Sequence, residues 1–178
     1  MRRLAGDFML GRACGLKRGV TLSIVDATAG LGVDAMALAL RGQRLTLIER
    51  QPQLWALLVD LKARLGLTEV TLRRLDHRTA LTAQEPVDVI YFDPMFPQRR
   101  KGALPGKAMQ YLAALVDDDG EFDENLINLA RERARQRVVL KRRARDPALL
   151  SPDWSIRGRS VRYDVYRGSA SESGASLL

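Results

Sequence analysis

One run of residues narrows the possible folds more than any other. Leu22-Ser23-Ile24-Val25 is apolar and β-prone and reads as a strand. Asp26-Ala27-Thr28-Ala29-Gly30-Leu31-Gly32 follows as a glycine-containing turn. Val33-Asp34-Ala35 then leads into a helix through Met36, Leu38 and Leu40, with a stop at Gly42. Strand, glycine turn and helix in direct succession is the opening unit of an open α/β sheet. The glycines let the backbone approach a ligand closely, and a helix N-terminus adds partial positive charge. Gly30-x-Gly32-x-x-Ala35 also satisfies the dinucleotide fingerprint, so the turn alone does not choose between nucleotide cofactors.

The same alternation continues. Residues 43–48 read as a second strand ending in Glu49-Arg50, and Glu49 lies 17 positions after Gly32, where a second-strand acid meets ribose hydroxyls. Pro52 suits the first turn of a helix whose Leu54, Leu57, Leu58, Leu61 and Leu65 recur at helical spacing as a core face, with Trp55 packed beside it and Gly66 as the stop. Residues 70–75 form a third strand. The polar pair Asp76-His77 follows, placed to touch the adenine end of a nucleotide, although spacing alone makes His77 a solvent-exposed loop residue. Residues 86–92 form a fourth strand, 109–116 and 122–136 read as helices around a turn at 117–120, and 137–140 form a fifth strand. Residues 154–160 and 161–167 read as a closing antiparallel hairpin. The expected fold is α/β and Rossmann-like: a mostly parallel twisted sheet with helices on both faces and a C-terminal antiparallel hairpin. Residues 1–20, where Phe8 to Leu16 suggest a short helix, form an N-terminal segment. Residues 21–168 form one domain, and the Ser-, Gly- and Ala-rich residues 169–178 form a disordered tail.

The chemistry concentrates after the fourth strand, in Asp93-Pro94-Met95-Phe96-Pro97. A carboxylate directly after a buried strand sits at its carboxyl end, where open α/β sheets place their ligands. Two prolines stiffen the backbone and remove two N–H donors. An acid, a rigid carbonyl and an aromatic face together suit a flat base with an exocyclic amine. Asp93 and the Pro94 carbonyl accept from the amine, and Phe96 stacks on the base. The plainer reading is a proline-rich loop with an N-capping Asp.

Charge points to the partner. The 178 residues carry 29 Lys and Arg against 21 Asp and Glu, a net of +8, which suits a polyanion. Arg99, Arg100, Lys101 and Lys107 follow the Asp93 loop, and Lys141-Arg142-Arg143 end the fifth strand on the same edge of the sheet. Both clusters are candidates for phosphate contacts. One cysteine, Cys14, and one histidine, His77, exclude an intrachain disulfide, a cysteine or multi-histidine metal site and a hydrolase needing a second histidine. No apolar run reaches the roughly 18 residues of a membrane span. The start lacks the apolar core of a signal peptide, which suggests a reducing, cytoplasmic setting.

The combination resembles the class I S-adenosylmethionine (SAM)-dependent methyltransferases, and most closely the bacterial 16S ribosomal RNA guanine-N2 methyltransferases of the RsmJ family. The resemblance rests on five blocks: Val25 to Gly32 with Asp34-Ala35, the pair Glu49-Arg50, Tyr91-x-Asp93-Pro94-Met95-Phe96-Pro97, Val138 to Lys141, and Arg162 to Tyr166. It runs from about Arg2 to Gly168. It implies SAM as cofactor, with Asp26, Gly30 and Gly32 in the cofactor loop and contacts at Val33, Asp34, Glu49, Arg50, Asp76, His77 and Asp93. It also implies transfer to a guanosine N2 in small-subunit RNA, with Asp93, Pro94 and Phe96 at the amine. The chain departs from the family at Val33, where members often carry Arg, and at Asp76-His77, where they often carry a Ser pair. Members also usually have an N-terminal segment of several dozen residues not seen here, so the chain reads as a shortened member or a fragment. Without the resemblance, three rival readings stay open: a nicotinamide-dependent oxidoreductase, a non-catalytic RNA-binding module, and a methyltransferase acting on an amine of DNA or protein.

Overall fold

The computed structural model describes residues 4–94 and 122–170. In chain order the elements are α1 (Leu4–Cys14), β1 (Ser23–Asp26), α2 (Val33–Ala39), β2 (Arg44–Ile48), α3 (Pro52–Leu65), β3 (Val70–Arg73), α4 (His77–Thr82), β4 (Val87–Phe92), α5 (Glu124–Arg133), β5 (Ala134–Arg143), β6 (Trp154–Arg157) and β7 (Val161–Arg167). The described strands form one seven-stranded sheet in the order β3-β2-β1-β4-β5-β7-β6. The pairs from β3 to β5 are parallel, and β7 pairs antiparallel with both β5 and β6. The expected α/β architecture and closing hairpin are both present.

The order reverses between β1 and β4. After β1 the chain builds outward through β2 and β3, then crosses back to lay β4 on the other side of β1. The carboxyl ends of β1 and β4 therefore diverge at the point where such sheets usually place ligands.

Period-two burial splits the core into two layers. Ile24, Leu45, Leu47, Val89, Tyr91 and Val139 pack against α1, α2 and α3. Their neighbours Val25, Ile48, Ile90, Phe92, Val138 and Leu140 pack against α4 and α5. Each fully buried Leu, Ile or Val contributes about 1.5–3 kcal/mol, so the two layers hold the strand ends firmly.

Several boundaries differ from the sequence reading. Leu10, Ala13 and Cys14 of α1 are buried, so this helix belongs to the main core rather than to a separate segment. In α3 only Leu54 and Leu58 are buried, while Leu57 and Leu65 stay exposed, because a straight helix on a twisted sheet buries a narrower stripe than five leucines suggest. His77, expected in a loop, opens α4, which Asp76 caps by accepting from the Thr79 N–H at 2.9 Å. β5 starts three residues before the expected strand, since Ala134 already pairs with Val87 despite the polar run that follows it. Beyond β7, Ser169 and Ala170 donate to the carbonyls of Arg131 and Ala134, so order continues to Ala170 where composition suggested a tail. The expected helix at 109–116 and residues 171–178 lie outside the described residues. Among the described residues no helix is long and apolar enough to cross a membrane.

The antiparallel edge contains a buried ion pair. Arg162 donates from Nε and Nη2 to the two oxygens of Asp164, each at 2.7 Å, and the Ser155 hydroxyl donates to the same carboxylate at 2.6 Å. The Asp164 side chain is wholly buried. Arg162→Met is expected to cost about 3–5 kcal/mol, because it strands a buried carboxylate. Urea denaturation measures this; a loss below about 1 kcal/mol would contradict the pair's structural role.

Candidate active site

The turn after β1 and the end of β4 are bonded to each other. Ala27 N–H donates to the Tyr91 carbonyl at 2.9 Å, and Asp93 N–H donates to the Thr28 hydroxyl at 2.7 Å. Ala29 N–H donates to the Ile48 carbonyl at 3.0 Å, which ties the same turn to β2. Gly32 adopts φ 70°, and a Cβ there would lie 2.6 Å from Leu58 Cδ2. Only glycine lets the turn enter α2 this close to α3.

Glu49 is held by the same backbone. Its Oε2 accepts from Gly30 N–H at 2.9 Å and its Oε1 from Gln51 N–H at 2.7 Å. A cleft opens beside it, floored by Ala27, Ile48, Leu54 and Leu75 and edged by Thr28, Gly30, Arg50, His77 and Asp93. Apolar floor and fixed carboxylate together suit a flat base carrying a sugar diol.

A charged cluster lies on the far side of Asp93. Lys141 Nζ donates to Asp93 Oδ2 and to Asp34 Oδ2, each at 2.7 Å. The Tyr91 hydroxyl donates to the same Asp34 oxygen. Burial raises the Asp93 carboxyl above its ordinary value, and the Lys141 ammonium works against that rise. Burial opposes the charge on Lys141, but Asp93 and Asp34 outweigh it and hold the amine protonated. Asp26, nearly inaccessible, is pushed well up by burial, with the Thr28 N–H partly compensating. Burial also raises the Tyr91 phenol well above its usual value, so it stays a donor.

The site residues expected from sequence divide accordingly. Asp93, Glu49, Gly30, Arg50 and His77 meet at the cleft. His77 is 8% exposed in the first turn of α4, its ring 6.3 Å from Phe122, so the exposed-loop reading of it fails. Asp76 is instead a helix cap, its carboxyl lowered by the Thr79 hydroxyl and then by the Thr79 N–H. Val33 is 69% exposed and does not line the cleft. Asp34 serves the Lys141 cluster. Asp26 and Gly32 shape the turn from behind.

The proposed phosphate contacts at Lys141 and Arg142 are corrected. Lys141 points into the charged cluster, and Arg142 is 9% exposed and donates to the Pro147 carbonyl at 2.8 Å. A basic run in sequence does not reveal which residues a strand turns inward. Arg143 remains half-buried at the strand end. Phe96, Arg99, Arg100, Lys101 and Lys107 lie outside the described residues. Sequence reasoning missed Thr28 as the anchor of Asp93 and Tyr91 as a donor to Asp34. Their only signal was position, one in the glycine turn and one two residues before Asp93.

A family model described as "Putative SAM-dependent methyltransferase" matches residues 2–168. The chain is 46% identical to "Ribosomal RNA small subunit methyltransferase J" of Alkalilimnicola ehrlichii, over 92% of this chain and 67% of that protein. Against the protein of the same name from Pseudomonas syringae pv. syringae it is 41% identical, over 98% and 72% respectively. The chain belongs to the ribosomal RNA small subunit methyltransferase J family. It spans about two thirds of the length of its curated relatives, 67%, 66% and 61% of three of them. Among solved structures, the SAM-dependent methyltransferase NGO1261 from Neisseria gonorrhoeae superposes with a TM-score of 0.72 at 28% identity, over 96% of this chain and 71% of that one. Membership of this SAM-dependent family decides against a nicotinamide cofactor. The lining residues fit SAM: Ile48, Leu54 and Leu75 would give an adenine apolar surface, and the Glu49 carboxylate would accept from ribose hydroxyls.

Lys141 generates a test in this family member. An ammonium beside Asp93 favours the carboxylate, so Lys141→Met removes a lowering influence and raises Asp93 further. Activity that needs the carboxylate is lost as pH falls through its pKa. The acid limb of the kcat/KM profile is therefore expected to move to higher pH in Lys141→Met and to stay near wild type in Lys141→Arg. An unmoved limb in Lys141→Met would show that the amine does not set the charge of Asp93.

Proposed function

We propose that the chain transfers the methyl group of SAM to the N2 amine of a guanosine in 16S ribosomal RNA, in the cytoplasm. One observation carries the reading: Asp93 sits at the carboxyl end of β4, beside the cleft, its backbone N–H held by the Thr28 hydroxyl and its carboxylate by Lys141. The relatives' name supplies the ribosomal RNA. Guanine, its N2 and the target nucleotide belong to the proposal.

SAM supplies a methyl already activated on a sulfonium, so the protein's work is to position and desolvate. The guanine N2 lone pair is delocalised into the ring. Hydrogen bonds from the amine to Asp93 and the Pro94 carbonyl draw that nitrogen toward tetrahedral geometry and turn its lone pair to the cofactor side of the cleft. Bound SAM would supply the methyl to that nitrogen and leave as the thioether, and the nitrogen would then give up one proton, to Asp93 or to water. Phe96 stacks on the base, which is turned out of its helix or already single-stranded, at about 1–3 kcal/mol for such a stack. Lys141 favours the ionised carboxylate and aims it, and Thr28 anchors the Asp93 backbone.

Asp93→Ala is expected to lower methyl transfer by at least about 100-fold while leaving circular dichroism unchanged. The assay is labelled methyl transfer to small ribosomal subunits lacking the modification, with N2-methylguanosine identified after digestion. Turnover retained in Asp93→Ala, or label found on another atom, would sink the assignment.

A further inference from the structure

The arginines of the β5–β7 half of the sheet fall into two groups. Toward the amino end of β5, Arg131, Arg133 and Arg137 are bonded into the protein, while Arg135 is exposed. Arg131 donates to the Arg167 carbonyl at 3.0 Å, Arg133 to Thr82 at 3.3 Å and Arg137 to Ala13 at 3.2 Å. Arg167 lies 3.6 Å from Asp153 and over the Trp154 ring. At the carboxyl edge, Arg142 and Arg162 are buried and serve as struts. Arg142 donates to the Pro147 carbonyl at 2.8 Å, and Arg162 to the Asp146 carbonyl at 2.9 Å.

Those struts fix the backbone that follows β5. Ala144 N–H donates to the Ser160 carbonyl at 3.0 Å, which extends the β5–β7 ladder past its last pair, and Gly158 N–H donates to the Val161 carbonyl at 2.8 Å. Arg145, Arg157 and Arg159 project from this braced edge. All three are exposed, and among the described residues none has a hydrogen bond or ion pair. Each of these cations is thus held on a braced support with no hydrogen bond or ion pair to the described residues.

Register relates this edge to Asp93. Leu140 pairs with Phe92, so Lys141, which touches Asp93, is the next residue along β5. Arg143 pairs with Val161 and lies two residues further, about 7 Å along the strand, with Arg145 beyond it. Arg157 pairs with Arg162, which pairs with Arg142, so it lies two strands across, about 10 Å from β5.

We propose that Arg145, Arg157 and Arg159 form an RNA-docking rim, taking backbone phosphates of the substrate next to the nucleotide presented to Asp93. The rim rests on the methyl-transfer reading and adds to it the surface that positions the polyanion. Phosphate contacts fix orientation without reading sequence, which suits a rim of exposed guanidinium groups.

The test is the salt dependence of binding to 16S ribosomal RNA transcribed in vitro. Each phosphate contact adds about 0.7–0.9 to the slope of log Kobs against log salt. Replacing all three, Arg145→Ala with Arg157→Ala and Arg159→Ala, is expected to lower that slope by about 2–3, raise KM for RNA, and leave kcat, SAM affinity and Tm at wild-type values. A control pair at the amino edge, Lys17→Ala with Arg18→Ala, is expected to move the slope by less than 1. An unchanged slope in the triple variant overturns the rim, as does an equal loss in the control pair. Wild-type methyl transfer together with an unaltered triple-variant slope overturns the rim alone. Absence of wild-type transfer overturns the substrate reading, while the slope still reports on the rim.

Discussion

The ammonium of Lys141 is the interaction on which the site depends. It sits between Asp34 and Asp93 at 2.7 Å from each, with Asp26 and the Tyr91 phenol close by. Carboxylates gathered in a poorly solvated space repel one another and gain protons. One half-buried cation offsets much of that repulsion, favours Asp93 as an acceptor and joins α2, β4 and β5 at a single atom. The cation can occupy this place because β5 lies against β4 in parallel register, which sets Lys141 one residue beyond Leu140, the partner of Phe92.

The second constraint is the backbone of the glycine turn. The Gly30 N–H and the Thr28 hydroxyl bind Glu49 and Asp93 in place, so the two acids share one rigid support. Because Gly32 meets Leu58 with no room for a Cβ, the turn is also seated against α3. Main-chain geometry thereby brings Glu49 and Asp93 to a common crevice, and the side chains only finish it. Transfer from an activated donor asks chiefly for such positioning.

Arginine serves two distinct purposes in this molecule. Arg162 and Arg142 are drawn inside, where the planar fork satisfies Asp164 and loop carbonyls. Arg145, Arg157 and Arg159, close in sequence to those struts, face solvent. The same residue type provides both the brace and the charge that the brace displays.

What the sequence determined by itself were the periodic and covalently local features. Alternating strands and helices, the glycine turn, the acid after β2 and the acid after β4 announce an α/β sheet with its site at the strands' carboxyl ends, because hydrophobic period and turn chemistry are short-range properties. Tertiary structure decided everything that depends on which side of a strand a residue faces and on what meets it there. Lys141 and Arg142 are adjacent in a basic run, yet one enters the acidic cluster and the other a buried strut, since successive strand residues point to opposite layers. His77 moved from expected loop to buried helix start because Asp76 caps α4, a local bond whose effect is felt only when Ala80 and Leu81 find a core to enter. Bonds such as Asp93 to Thr28, 65 residues apart, arise only once β1 and β4 pair, so no local pattern announces them.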